Sequence, residues 1–192
     1  MNKKLFAISI AVLLLLSWLS ISTAKSTLPQ QKQTVLGLYV TAKEAYEMWS
    51  ADKNKIKILD VRTPEEYIFV GHAPMAHNIP IQIFNYKMAV RNKEPLMKAN
   101  PNFIKEVGKK FKPSDTILVI CRSGNRSAAA VNVMASAGFK IAYSVTDGFE
   151  GDRVKDPSSS SYGKRSKNGW RNSGAPWTDK LNPELIWIPS DP

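Results

Sequence analysis

Cys121 is the one cysteine of the 192-residue chain, and polar residues and glycine follow it directly as Arg122-Ser-Gly-Asn-Arg-Ser127. Short polar residues and glycine allow backbone N–H groups to curl around an anion. Together with Arg122 and Arg126, such a loop favours the thiolate, which is the nucleophilic form of cysteine. The pattern therefore predicts a nucleophile, although a buried structural thiol is the commoner fate of a lone cysteine.

The flanking segments determine where this thiol should lie. Residues 116–120 form an uninterrupted apolar run, which is typical of a strand buried on both faces. A helix of small residues is predicted over 127–137 and stopped by Gly138. Cys121 is thus expected where ligands bind in an open α/β sheet, at the carboxyl end of a strand. The positive end of the following helix should face the same point.

The rest of the chain alternates between strand and helix patterns. Capping-box signatures at Thr41/Glu44 and Thr63/Glu66 predict two helix starts. This alternation predicts an α/β, three-layer domain with a mostly parallel central sheet of about five strands. Residues 81–101 give no clear pattern. Besides 116–120, the predicted strands are 38–40, 56–61, 76–80 and 141–145, and the other predicted helices are 42–50, a short one after Thr63, and 102–111.

The two ends differ in composition from the centre. Residues 1–24 combine two lysines, an apolar run and small residues near Ala24, which predicts a secretory signal peptide and export to the periplasm, or to the exterior if the cell has no outer membrane. A retained anchor is the alternative, but the apolar run is shorter than the roughly 20 residues of a membrane span, so none is expected in the mature form. A linker is predicted over 25–36 and a domain over 37–151.

Residues 152–192 are predicted to form a basic extension containing tryptophan. It begins with a serine-rich stretch, and Lys164 and Arg171 bound a basic segment. Three tryptophans favour packing of the extension against the domain from about residue 168 onwards, since disordered segments are poor in aromatic residues. An unstructured end is the alternative.

The net charge of the chain and its few cysteine and histidine residues limit which partners and metals the protein could bind. Removal of residues 1–24 would leave 25 basic and 16 acidic residues, a net charge of +9. This charge suits small anionic molecules, anionic lipid head groups or solubility alone. Solubility and attraction of anions are favoured over nucleic acid, because no basic-aromatic motif for nucleic acid is present in the sequence. A single cysteine excludes an internal disulfide. His72 and His77 with one distant cysteine form no recognisable metal set, so no metal is predicted.

Taken in order and spacing, five motifs resemble those of a rhodanese domain, and the resemblance covers about residues 35–151. The motifs are Asp60-Val-Arg-Thr-Pro-Glu-Glu-Tyr67, Gly71-His72, Ala76-His-Asn-Ile-Pro80, Cys121-Arg-Ser-Gly-Asn-Arg-Ser127 and Gly148-Phe149.

The resemblance implies a sulfurtransferase that works by double displacement. The Cys121 thiolate would attack the outer sulfur of a donor such as thiosulfate, sulfite would leave, and the resulting persulfide would pass its sulfur to a thiol or cyanide acceptor. No cofactor is required. The amides of 122–126, including Ser123, Gly124 and Asn125, would hold the persulfide, and Arg122 or Arg126 would bind the donor.

The remaining candidate residues have supporting roles. Ser127 would either donate to the sulfur or cap the helix, and the cap is slightly favoured. Asp60 and Arg62 are expected at the end of a neighbouring strand, and for Arg62 an ion pair with Glu65 or Glu66 is favoured over contact with substrate. His72 is expected to be a turn residue bonded to backbone, and His77 a solvent or edge residue.

Two other functions remain open. One is a docking or persulfide-carrier module without turnover. The other is a small-anion phosphatase or arsenate reductase, which uses a cysteine, five residues and an arginine around a phosphate. Here Arg126 follows Cys121 after four residues, so the loop should be smaller and suited to sulfur.

Overall fold

The computed structural model of the protein describes residues 28–92 and 96–189. The predicted signal peptide lies outside these described residues. The chain divides after Gln30, and every labelled element below belongs to the unit that begins at Gln31. Within the described residues, no helix is both long and apolar enough to cross a membrane.

In the part of the chain that the structure describes, seven strands form two sheets. The strands are β1 (Tyr39–Val40), β2 (Ile56–Asp60), β3 (His77–Asn78), β4 (Gln82–Phe84), β5 (Met97–Ala99), β6 (Thr116–Ile120) and β7 (Ala142–Val145). The central sheet is parallel throughout and has the order β1-β7-β6-β2-β3. Strands β4 and β5 form a separate antiparallel pair. The predicted α/β fold with a parallel sheet of about five strands is confirmed.

Within the described residues, five α-helices accompany the strands, and two of them begin at the predicted capping boxes. The helices are α1 (Ala42–Ala51), α2 (Pro64–Phe69), α3 (Tyr86–Asn92), α4 (Phe103–Lys110) and α5 (Asn125–Ser136), with short 3-10 helices at Gln30–Lys32 and Trp170–Asn172. Thr41 with Glu44 caps α1, and Thr63 with Glu66 caps α2. In each box the two side chains satisfy amides that the first helical turn leaves without partners.

Side chains of β6 alternate between two hydrophobic clusters, one on each face of the sheet. Ile117, Val119 and Cys121 pack with residues of α4 and α5. Leu118 and Ile120 pack on the opposite face, with residues of α1 and with Trp170. Both faces are therefore covered, as the continuous apolar run predicted. Cys121 continues the row of the first face, so β6 directs its sulfur to the α5 side.

Helix α5 begins two residues earlier than predicted. Gly124 is its N-cap and has a φ of 103°, a left-handed conformation that glycine adopts without strain. A Cβ at this position would lie 2.1 Å from the carbonyl oxygen of Thr146. The prediction of a start at Ser127 was wrong because the conformation of Gly124 turns the chain into the helix at Asn125.

The C-terminal extension contributes to the core. Trp170 is completely buried in the second cluster, and its Nε1 donates to the carbonyl of Pro176 at 2.8 Å. Further along, Thr178 bridges to His72, and the amide of Asn78 in the edge strand β3 donates to Leu185 at 2.7 Å. The extension therefore completes one face of the sheet and covers part of its β3 edge.

Candidate active site

Cys121 lies at the bottom of a cleft of about 250 Å³, at the carboxyl end of β6. Only 1% of its surface is exposed. The amide of Gly124 donates to Sγ at 3.1 Å, and α5 begins at the next residue. A backbone donor and a helix N-terminus at the sulfur both stabilise negative charge on it.

Ser127 lies beneath the sulfur rather than at the helix cap. Its hydroxyl donates to the carbonyl of Gly124 at 2.8 Å and lies 3.1 Å from the hydroxyl of Ser144. The Sγ of Cys121 is 3.7 Å from the same oxygen. The predicted capping role is wrong because Gly124 is the N-cap. Ser127 is fully buried, and its hydrogen bond to the carbonyl of Gly124 fixes the loop.

The two arginines of the loop have different environments. Arg126 forms a bidentate ion pair with Glu66, with both nitrogen–oxygen distances at 2.6 Å. Arg122 is exposed and forms no ion pair with a carboxylate of the described residues. One N–H of each terminal nitrogen of Arg126 is thus bound to Glu66, whereas the guanidinium of Arg122 has no carboxylate partner in the described structure and is available for an anionic ligand.

The Glu66–Arg126 pair is a strong electrostatic element of the site. The two side chains are only 16% and 15% exposed. Burial by itself raises the pKa of Glu66, but hydrogen bonds and charge from Arg126 outweigh it and hold that pKa below its ordinary value. The same contacts outweigh the effect of burial on Arg126 and raise its pKa. The pair therefore stays ionised around neutral pH.

Asp60 and Arg62 are completely buried and lie outside the cleft lining. Arg62 binds Asp60 through Nε and Nη2, the latter at 2.6 Å, so the predicted partner, Glu65 or Glu66, was wrong. The physical reason is proximity, because Asp60 is two residues away and Glu66 is taken by Arg126. The guanidinium carbon of Arg62 lies 4.1 Å from the ring centroid of Phe149.

Phe149 connects this buried pair to the loop of Cys121. Its amide donates to the carbonyl of Cys121 at 2.7 Å, and the amide of Glu150 donates to the carbonyl of Arg122 at 3.0 Å. Gly148, with a φ of 66°, permits the approach, since a Cβ there would lie 2.5 Å from the carbonyl oxygen of Cys121. The segment 148–150 thus holds the backbone of the loop, and Arg62 supports it through Phe149.

A match to the family model described as Rhodanese-like domain covers residues 41–153. The chain belongs to the rhodanese-like family. This confirms the family that the sequence motifs indicated.

Relatives of this rhodanese-like protein agree with the assignment. An uncharacterised protein of Rickettsia prowazekii, RP600, is 31% identical over 138 residues, which are 72% of this chain and 94% of that protein. Thiosulfate sulfurtransferase 16, chloroplastic, of Arabidopsis thaliana is 37% identical over 93 residues, which are 48% of this chain and 70% of that protein. The crystal structure of Rv0390 from M. tuberculosis has 30% identity and a TM-score of 0.56, and the similarity covers 73% of this chain and 96% of that one.

Two cleft residues of this rhodanese-like domain were missed by sequence reasoning. Gln82 in β4 and Met97 in β5 line the cleft with Cys121, Arg122, Ser123, Asn125 and Arg126. The sulfur of Met97 lies 3.7 Å from Nη1 of Arg126. The spacing by two of Phe84, Tyr86 and Met88 was the one weak signal for a strand in this stretch, and of these only Phe84 lies in a strand. Phe84 pairs with Met97 across the hairpin, and this long-range pairing is not visible in local sequence.

The two histidines are separate from the cleft lining. His72 is buried, its Nδ1 lies 3.0 Å from the carbonyl of Tyr67, and its ring stacks on Tyr67, in agreement with the predicted backbone bond. His77 lies in the edge strand β3, half-buried, with its ring against Phe111. Burial, with the charges of Lys110 and Lys57, lowers the pKa of His77. The described cleft therefore offers a thiol, amides and cations, and its lining has no imidazole base.

Proposed function

We propose that the protein is a sulfurtransferase that carries sulfane sulfur on Cys121, from a small anionic donor such as thiosulfate to a thiol or cyanide acceptor. One observation carries the proposal: Sγ lies in a cleft, receives the Gly124 amide at 3.1 Å, and adjoins Arg122, whose guanidinium has no carboxylate partner in the described structure. This arrangement suits a sulfur nucleophile that meets an anionic substrate.

In the first half-reaction the thiolate of Cys121 attacks the outer sulfur of thiosulfate. A new S–S bond forms, the sulfur–sulfur bond of the donor breaks, and sulfite leaves with the electron pair. The persulfide bond of about 2.05 Å carries the outer sulfur from the buried Sγ into the cleft. Arg122 binds the oxygens of the donor by charge-assisted hydrogen bonds.

In the second half-reaction an acceptor thiolate or cyanide attacks the outer sulfur. The persulfide bond breaks, its electron pair returns to Sγ, and the acceptor leaves with the transferred atom. Two successive displacements on one cysteine give ping-pong kinetics. No redox change of the protein and no cofactor are needed, because each step transfers a sulfur atom with six valence electrons between two nucleophiles.

The contacts of Arg126 argue against phosphate chemistry. A phosphatase of the cysteine type needs an arginine directed at the phosphate oxygens, but both terminal nitrogens of Arg126 bind Glu66. These contacts favour sulfur transfer over phosphoester or arsenate chemistry.

The full-length protein should convert thiosulfate and cyanide to thiocyanate, and thiosulfate treatment should add the mass of one sulfur atom. Cys121→Ser should lose both properties while it keeps the fold by circular dichroism. A phosphoester assay run in parallel should show no turnover. A sulfur adduct without turnover would support the carrier module instead, and the absence of adduct and turnover in the wild type would contradict sulfur transfer.

The proposed location is outside the cytoplasm, on the basis of the N-terminal residues 1–24. Fractionation of cells that express the protein with a C-terminal tag should give a tagged product in the periplasmic fraction, or in the medium if there is no outer membrane. A product confined to the cytoplasmic fraction would contradict this location.

A further inference from the structure

The segment 152–168, called the basic excursion below, leaves the domain and returns to the same point. A Cβ at Gly169 would lie 2.4 Å from the nitrogen of Gly151, so the two backbones touch where the excursion begins and ends. The amide of Asp152 donates to Oδ1 of Asn168 at 2.7 Å, which closes the base. The basic excursion is thus a loop added to the domain, and the contacts between its first and last residues close it at the base.

The basic excursion begins directly beside the loop of Cys121. The amide of Glu150 donates a hydrogen bond to the carbonyl of Arg122. The next residue is Gly151, and its carbonyl accepts a hydrogen bond from Nη1 of Arg165. Arg153 pairs with Arg165 in an antiparallel bridge. Burial and the charges of Arg122 and Arg153 hold the pKa of Arg165 below its ordinary value, even with Glu150 near. The charges of Arg122, Arg153 and Arg165 therefore repel one another on the surface that continues from the loop of Cys121.

Most cations of this region lack an anionic partner within the described structure. The excursion has two acidic residues: Asp152 binds Lys32 at 3.3 Å, and Asp156 binds the hydroxyl of Ser158. Mutual repulsion of cations raises the free energy of the unliganded surface, and an anionic ligand relieves it. In this region, the exposed cations that form no ion pair with residues 28–92 or 96–189 are Arg122, Arg153, Lys155, Lys164 and Lys167.

A small donor does not account for these charges. The cleft holds Arg122 within its lining, but none of the cations of the basic excursion lines it. Cations outside the cleft act on a ligand that extends beyond it. Cys121 is 1% exposed, so the thiol of a protein acceptor must protrude from that protein's surface to reach the outer sulfur in the cleft. These two requirements describe a protein with a protruding cysteine among acidic residues.

We propose that the basic excursion, with Arg122, docks an acidic protein whose protruding cysteine thiolate receives sulfur from Cys121. The proposal rests on the proposed sulfurtransferase function and names its acceptor. The acceptor thiolate attacks the outer sulfur of the persulfide, the persulfide bond breaks, and the electron pair returns to Cys121 while the acceptor becomes a persulfide. Opposite charge steers the encounter and raises its rate.

Two synthetic acceptors test the charge preference. One is a seven-residue peptide with a central cysteine and four glutamates, and the other replaces the glutamates with glutamines. With the full-length protein loaded by thiosulfate, the acidic peptide should remove sulfur about tenfold faster at low salt, and high salt should abolish the difference. Equal rates for the two peptides in the wild type would overturn the proposal.

Charge-reversal variants test the place of docking. Lys164→Glu with Lys167→Glu should remove the preference for the acidic peptide. Lys105→Glu with Lys140→Glu changes the net charge equally on exposed positions elsewhere and should keep the preference. An equal loss in both variants would show a general charge effect and contradict docking at the basic excursion.

A binding measurement tests docking of the acidic peptide independently of sulfur transfer. If no persulfide forms, sulfur transfer fails, but fluorescence anisotropy of the acidic peptide with serine in place of cysteine still measures docking. Binding that is weakened by the Lys164/Lys167 variant and kept by the control would preserve the acidic-protein surface. Binding of phosphatidylserine vesicles that depends on the same lysines, without binding of the peptide, would overturn it in favour of a lipid surface.

Discussion

At the scale of single residues, some arginines of the site are fixed by carboxylates and one is free to contact substrate. Arg126 is fixed by Glu66 and Arg62 by Asp60, whereas Arg122 is exposed beside the sulfur. A guanidinium with a fixed carboxylate partner contributes rigidity, and one without a partner contributes binding. Arg122 and Arg126, four positions apart in one motif, thus have different roles, and separate substitutions distinguish these roles.

Arg122→Ala should raise KM for thiosulfate about tenfold, with a smaller change in kcat. The reason is that Arg122 contributes charge-assisted hydrogen bonds to the bound donor, which are worth about 1.5–3 kcal/mol each, and its exposure places the effect at the lower end. Steady-state kinetics of thiocyanate formation measure it. Arg91→Ala, an exposed arginine of α3 outside the cleft lining, is the control and should leave KM unchanged. An unchanged KM in Arg122→Ala would remove the donor-binding role.

Glu66→Gln should destabilise the protein by about 2 kcal/mol at pH 7, since breaking a fully buried pair costs about 3–5 kcal/mol and glutamine keeps one acceptor oxygen. The pKa of Glu66 is lowered in the folded state, so the pair contributes fully above the ordinary glutamate pKa of about 4.3. The contribution disappears as the pH falls through the lower folded value. Urea unfolding at several pH values should therefore show the difference shrinking in acid.

The exposed pair Glu106–Lys109 provides the control for this substitution. Glu106→Gln should change stability by less than about 1 kcal/mol at pH 7, because exposed ion pairs contribute little. A Glu66→Gln effect of the same size, or one that does not change with pH, would contradict the stabilising role of the Glu66–Arg126 pair.

Local sequence was enough to predict which residues form the loop of Cys121, but it did not predict their side-chain partners. Cys121 and Arg122 line a cleft at a strand end, as the motif indicated. The partner of Arg126 was missed because Glu66 is 60 residues away. Gln82 and Met97 were missed for the same reason, since their place in the site depends on how the β4–β5 hairpin packs. Side-chain partners that are distant in sequence are set by tertiary structure, which local patterns do not contain.

At the scale of elements, patterns with a strong physical cause gave the best predictions. Both capping boxes and the buried strand β6 are confirmed, because hydroxyl–carboxylate caps and continuous apolar runs act locally. The start of α5 was displaced by two residues because the backbone of Gly124, and not a side-chain cap, determines it. The loop of Cys121 is therefore held by backbone geometry, in which glycine has a specific part.

Gly148→Ala should destabilise the protein by more than about 2 kcal/mol and strongly reduce thiocyanate formation. Its Cβ would lie 2.5–2.6 Å from backbone atoms of residues 121–123, which would displace the loop, and its φ of 66° adds strain. Chemical unfolding and steady-state assays measure the two effects. Gly174→Ala is the control, since its φ is 81° and nothing lies within 4 Å. It should lose about 1 kcal/mol and keep activity, and an equal result for both variants would refute the steric reason.

At the scale of the whole molecule, the C-terminal extension is part of the folded unit. Trp170 is fully buried, whereas Trp177 is 48% exposed. Trp170→Ala should therefore cost about 3–5 kcal/mol through the cavity that it leaves, and Trp177→Ala less than about 1.5 kcal/mol. Thermal or urea unfolding compares them. Similar small losses in both would mean that the extension contributes little to the core.

The basic excursion, by contrast, should be dispensable for folding. Because Gly151 and Gly169 are in contact and Asp152 is hydrogen-bonded to Asn168, replacement of residues 153–167 by the two-residue turn Asn-Gly keeps both ends in place. A shorter loop lowers the entropy cost of closure only slightly, so stability should change by less than about 1 kcal/mol. The shortened protein should still take up one sulfur atom from thiosulfate, while its preference for the acidic peptide should be lost. Unfolding of the shortened protein would show that the excursion is structural, and retention of the preference would place the docking surface elsewhere.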